Sequence, residues 1–189
     1  TLVTVLLGLM ATPLWAQVPG GQQVGLARYL QSSYAGLKAN LTAAAEQMPD
    51  ADYGFKPTTM PEVRSYGQLF AHVAAGQFGM CARLSGRPDP TAGRNLEEEL
   101  QTKASIVAAL ADSFVFCDGV VAGFSDDDAT TFVRQGQGEV ARSAAMVGLV
   151  GHNTEMYGIS TVYLRAKNLV PPSTERQTQR RNEAALGPR

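Results

Sequence analysis

Imidazole is the side chain that both titrates near neutral pH and ligates metal ions, and this chain carries two, His72 and His152. On a wheel of roughly 100° per residue, His72 falls about 60° from Leu69 and His152 about 60° from Leu149, each on the flank of an apolar stripe. Two imidazoles on separate helices, both turned toward a bundle axis, are one way to build a metal site. The other reading is a pair of core histidines satisfied by Ser, Asn or backbone partners. A catalytic zinc usually takes three protein ligands plus water. One turn beyond His152 stands Met156, whose thioether is a poor zinc ligand, and Glu155 to its side offers an oxygen. His72, His152 and Met156 together suit a softer ion such as copper(I) better than zinc, although Met at helical spacing commonly fills a core. The pattern assigns no catalytic residue.

Helices must position these groups. Leu26, Leu30, Ser33, Leu37, Leu41, Ala44 and Met48 step by three or four, and Pro49 ends the pattern. A surface loop with Pro57 and Pro61 follows. Ser65-Tyr66-Gly67-Gln68 fits a capping box opening a second helix, with the stripe Leu69, Val73, Gly76, Met80 and Leu84 and a stop at Gly86-Arg87-Pro88. The spacing predicts a third helix from Leu96 to Val121 through Leu100, Val107, Leu110, Phe114 and Cys117, with Glu97 to Glu99 at the positive end of its dipole. A fourth is predicted from about Val140 to Lys167, with Ala145, Leu149, His152, Met156, Ser160 and Tyr163 inward and Pro171-Pro172 beyond its end. No β-alternating run or Asn-Gly turn is evident. The expected fold is all-α, a four-helix bundle over 26–172 with a long connection between the first two helices.

Other residues narrow the chemistry. Cys117 lies on the inner stripe of the third helix and Cys81 beside that of the second; a disulfide between them and two separate buried thiols are both open. Asp126-Asp127-Asp128 lacks the spaced ligands of a calcium loop and reads as a solvated turn. Tyr157 and Tyr163 border the pocket or pack in the core with their hydroxyls partnered. Phosphate-loop, dinucleotide and nucleophile-elbow signatures are missing. Sixteen Lys plus Arg against seventeen Asp plus Glu give a net charge of −1, which offers no footprint for nucleic acid. Residues 1–16 carry no charge, and their apolar run Leu2 to Met10 is too short to span a bilayer; they read as part of a signal peptide, cut after Ala16. The expected product is exported, periplasmic or secreted, with no membrane attachment after cleavage. Residues 173–189, without aromatics, read as a disordered tail.

The run Pro61-Glu62-Val63-Arg64-Ser65-Tyr66-Gly67-Gln68-Leu69-Phe70-Ala71-His72-Val73-Ala74 is followed by Phe116-Cys117-Asp118-Gly119, Gly151-His152-Asn153-Thr154-Glu155-Met156-Tyr157-Gly158, Tyr163-Leu164-Arg165 and Val170-Pro171-Pro172-Ser173. In types and order these resemble the DinB-like superfamily of metal-binding four-helix bundles, in particular its exported branch, over about residues 26 to 173. The resemblance implies a divalent metal, zinc or nickel, held by one His on the second helix and a His-x-x-x-His pair on the fourth. His72 and His152 match two of these positions, and Met156 stands at the third. It also implies relatives that are thiol-dependent transferases or isomerases, a small-molecule ligand for this chain, and a homodimer as one open state. A non-catalytic binding or scaffold protein without metal is the competing reading.

Overall fold

Each long helix forms where an apolar stripe meets a terminator. In the computed structural model, which describes residues 21 and 23–187, α1 is Leu26–Gln47, α2 Tyr66–Ser85, α3 Leu96–Glu99, α4 Lys103–Ala122, α5 Arg142–Ala166 and α6 Pro172–Leu186. The capping box forms as expected. Ser65 Oγ accepts from the Gln68 N–H at 3.2 Å, and Gln68 Oε1 accepts from the Ser65 N–H at 2.9 Å.

The helices α1, α2, α4 and α5 make the expected bundle around a core that includes Leu41, Phe70, Leu110, Phe114, Met146 and Leu149. α2 packs along α4 and α5, and α1 along the other flanks of the same two helices. α1 and α2 therefore stand diagonally, and segment 48–65 has to cross one end of the bundle to join them. That crossing is anchored. The Tyr53 hydroxyl donates to the Ala45 carbonyl at 2.5 Å and the Tyr66 hydroxyl to that of Ala44 at 2.7 Å. Lys103 Nζ donates to the carbonyls of Glu46 and Met48, both at 2.9 Å, placing a cation at the negative end of α1.

Cys81 and Cys117 form a disulfide that ties α2 to α4 across a Cα–Cα distance of 5.4 Å, which decides between the two readings of these cysteines. α4 is long and apolar enough, at a mean hydropathy of 1.7, to cross a membrane by composition alone. In this fold it is a bundle helix that buries Ile106, Leu110, Phe114 and Val121.

Four segments depart from the sequence expectation. The third helix is broken: α3 makes one turn, Leu100 and Thr102 turn extended, and Thr102 with Ser105 starts α4 by a capping box of its own. The break arises because Leu96 is buried against Ala71 and Ala74, which docks one turn of chain on α2 before α4 begins. Segments Phe132–Gln135 (β1) and Gly138–Ala141 (β2) pair as an antiparallel hairpin. Its two-residue loop opens with Gly136 at φ 61°, the positive φ that a type II′ turn needs at its first position. Asp126 is not merely solvated. Its carboxylate accepts from the Ala27 N–H at 2.7 Å and caps α1, an approach that a Cβ on Gly25 would obstruct.

The segment expected to be a disordered tail is helical as α6 through Leu186. It lacks an apolar face but opens on Pro172 and is rich in Glu, Gln, Arg and Ala, good helix formers. Tyr157 fixes its start, donating to Ser173 Oγ at 2.8 Å and accepting from the Ser173 N–H at 2.9 Å. The expected signal segment 1–16 lies outside the described residues.

The disulfide closes a loop with a sequence separation of 36, for which chain entropy gives about 4 kcal/mol. Urea unfolding of Cys81→Ala/Cys117→Ala should therefore show a loss of about 2–4 kcal/mol relative to the oxidised protein. An oxidised protein no more stable than the double variant would show that the crosslink is strained or redundant.

Candidate functional site

The bundle brings His72 of α2 and His152 of α5 together, with ring centroids 5.2 Å apart and planes inclined by 50°. Both are only partly buried, and they meet at the seam between the two helices. The fully buried level beside them is held by amides instead. Asn153 Nδ2 donates to Gln77 Oε1 at 3.4 Å, and Gln77 Nε2 donates to Ser113 Oγ at 3.1 Å. Sequence spacing had turned both imidazoles to the axis; the wheel angle of about 60° off each stripe instead places them at the edge.

Gly76 makes the meeting geometrically feasible. It stands one turn beyond His72, and a Cβ there would lie 2.8 Å from His152 Cε1 and 3.2 Å from Nε2. The ring of His152 thus uses space that every other residue type would fill. A glycine inside an otherwise helical stripe was the available signal.

A carboxylate on the other side of His72 escaped the sequence reading. Glu97 Oε1 lies 2.8 Å from His72 Nδ1, and Glu97 Oε2 accepts from Arg64 Nε at 2.8 Å. Arg64 is held in turn by Tyr163, whose hydroxyl donates to the Arg64 carbonyl at 2.8 Å. Three consecutive acids gave no hint which one would turn inward. Docking of Leu96 selects Glu97, while Glu99 pairs with Arg94 on the surface at 2.6 Å. Glu97 also lines a cleft of about 540 Å³ with Tyr53, Gln68, Leu100, Lys103 and Ile106. Partial burial works to raise the Glu97 pKa, but Arg64 and His72 outweigh it and hold the carboxyl below the usual range. Burial, reinforced by the charge His72 can carry, holds the His152 imidazole below its ordinary value.

The other sequence candidates are placed differently. Met156 is buried on the same side of α5 as His152 and belongs to the core cluster. Glu155 is exposed and makes no hydrogen bond to either imidazole. Tyr157 is engaged with α6 and Tyr163 with Arg64. Among the described residues, no group of three or more His, Cys, Asp and Glu is arranged to hold a metal ion.

The donor set nevertheless suits a metal in two of three positions. The imidazoles are near enough to share one ion, and the Glu97 contact resembles the carboxylate–histidine pairs that orient metal ligands. His152 Nδ1 is buried without a partner, as is the neighbouring Asn153 Oδ1. The third position has only the soft sulfur of Met156.

Comparison with known proteins follows the same lines. A model of the DinB superfamily matches residues 34–157, well over half of the chain and inclusive of both histidines. The chain belongs to the DinB superfamily. A crystal structure of a DinB-like protein from Bacillus cereus has a similar fold, with a TM-score of 0.63 at 14% identity over 76% of this chain and 93% of that one. No curated protein matches the chain. Within this DinB-superfamily bundle, both histidines and Met156 lie inside the matched span, and α6 lies beyond it.

Because Gly76 and the His152 ring compete for one space, Gly76→Ala should displace the imidazole and cost about 1–3 kcal/mol in denaturant unfolding. NMR shifts of the His152 ring should move with it. A variant with native stability and an unmoved ring would show that the seam between α2 and α5 yields freely.

Proposed function

We propose that the protein is an exported DinB-superfamily bundle that binds a metal ion at the His72–His152 pair and, through that ion, a small-molecule ligand. The observation that carries this reading is the pair itself: two imidazoles 5.2 Å apart, seated over a glycine. His72 and His152 would supply the nitrogens, with Met156 in the position where the family resemblance calls for a third His. Glu155, on the solvent side, is the one carboxylate that α5 carries. Zinc or nickel is the ion the resemblance implies, while the thioether draws the set toward copper(I). A metal held there would lower the pKa of a coordinated water or thiol, the chemistry of metal-dependent hydrolases and thiol transferases. With a third hard ligand lacking, we read the site as a degenerate member of that group. Export is supported by the charge-free apolar run before Gln17 and by the disulfide, a bond of oxidising compartments.

A second reading is a binding or scaffold protein without metal. It is favoured by the burial of Met156 within the apolar core, where a thioether needs no ion to justify its place.

Elemental analysis of the untagged protein beside His72→Ala separates the two. The metal reading expects a stoichiometric ion that the variant loses. A wild type that purifies empty and takes up neither zinc, nickel nor copper(I) would establish the second reading. Met156→His should raise zinc affinity about tenfold or more if the site is a metal site. If it is not, the buried imidazole should lower stability with no uptake.

A further inference from the structure

Glu97 has two partners that a solvated acid in a first helical turn does not need. The one-turn α3 exists because Leu96 packs on Ala71 and Ala74, and the outcome of that packing is a carboxylate delivered beside α2. One oxygen faces His72 Nδ1 and the other is fixed by Arg64, both at 2.8 Å. An ionised carboxylate only accepts hydrogen bonds. A neutral imidazole facing it must therefore carry its hydrogen on Nδ1 and leave the lone pair on Nε2.

We infer that Glu97 is a positioning residue for His72: it fixes the Nδ1–H tautomer and leaves Nε2 as the one basic, ligating nitrogen, while Arg64 keeps the carboxylate in place. The two imidazoles are then unequal. His72 is preset by an ion-paired carboxylate, whereas His152 hydrogen-bonds to no carboxylate and has the neutral Asn153 side chain beside it. Arg64 and Glu97 sit on opposite sides of α2 in sequence, one at the end of the crossover and one on α3. Correct seating of both segments is thus a condition for a ready Nε2. The choice of ion rests on the metal reading above; the tautomer is a property of the metal-free chain.

Long-range ¹H–¹⁵N spectra of chelator-treated, ¹⁵N-histidine-labelled protein, at a pH where both imidazoles are neutral, test this directly. The chain has two histidines, so His152→Gln assigns the His72 signals. The wild type should show a protonated Nδ1 and an unprotonated Nε2 at His72. Glu97→Ala should shift His72 toward the Nε2–H form that histidine favours in water. In Glu97→Gln the single amide oxygen stays with Arg64 and the amide N–H faces Nδ1, so this variant too should shift His72 toward the Nε2–H form. In zinc titrations Glu97→Ala should weaken binding about 10- to 100-fold. A wild-type His72 already in the Nε2–H form overturns the inference without recourse to any variant, as does a tautomer unmoved by Glu97→Ala. The expected tautomer in a protein that binds no metal would uphold the role of Glu97 and refute the metal reading.

Discussion

At one level of the bundle an imidazole edge occupies the space where a side chain of α2 would otherwise begin. This approach of His152 to Gly76 is a close contact between α5 and α2, and other contacts of α2 lie on either side of it. The residues that follow each partner, Gln77 and Asn153, meet in the amide layer that continues to Ser113 on α4. One turn further along α2, Cys81 is bonded to Cys117. One turn before, Ala71 and Ala74 are small enough for Leu96 to settle on them. α2 thus receives His152 at Gly76 and Leu96 at Ala71 and Ala74, through residues with little or no side chain.

The charges at the seam serve geometry more than stability. Arg64 and Glu97 are both partly open to solvent, with side-chain exposures of 40% and 24%, and ion pairs so exposed contribute little to folding. What they contribute is direction, since a carboxylate restrained on one oxygen offers the other at a fixed angle. The amide layer has the opposite character. It is fully buried, so each unpaired atom in it costs stability. Asn153 Oδ1 is such an atom.

Much of this architecture was legible in the sequence. The stripes, the Ser65 capping box and the proline stops are local signals, and the four long helices follow them. Both histidines could be placed on facing helices because a wheel angle is also local. What escaped was decided by distant contacts. The chain breaks after Glu99 because of a seat on α2, which no window around residues 96–103 contains. Glu97 could not be told from Glu98 and Glu99 until that seat was known, and Asp126 looked idle because the helix it caps begins about a hundred residues earlier. The hairpin was missed because its strands are four residues each and largely exposed, so no apolar alternation marks them. Residues 173–186 failed for another reason: composition reports whether a segment has a core to join, not whether its backbone will coil.

The diagonal placement of α1 and α2 also governs the order in which the molecule can assemble. During synthesis α1 emerges first, yet the surfaces it packs against belong to α4 and α5, so its apolar stripe waits for most of the chain. α2 and α4 are closer in sequence and pack extensively, which makes them the natural early pair; the cysteines that join them can be oxidised before α5 is complete. An α-helical protein is usually a fast folder because its contacts are local. Here the first helix makes its contacts far along the chain, with Lys103 holding one end and Asp126 the other, a non-locality more usual in sheet proteins.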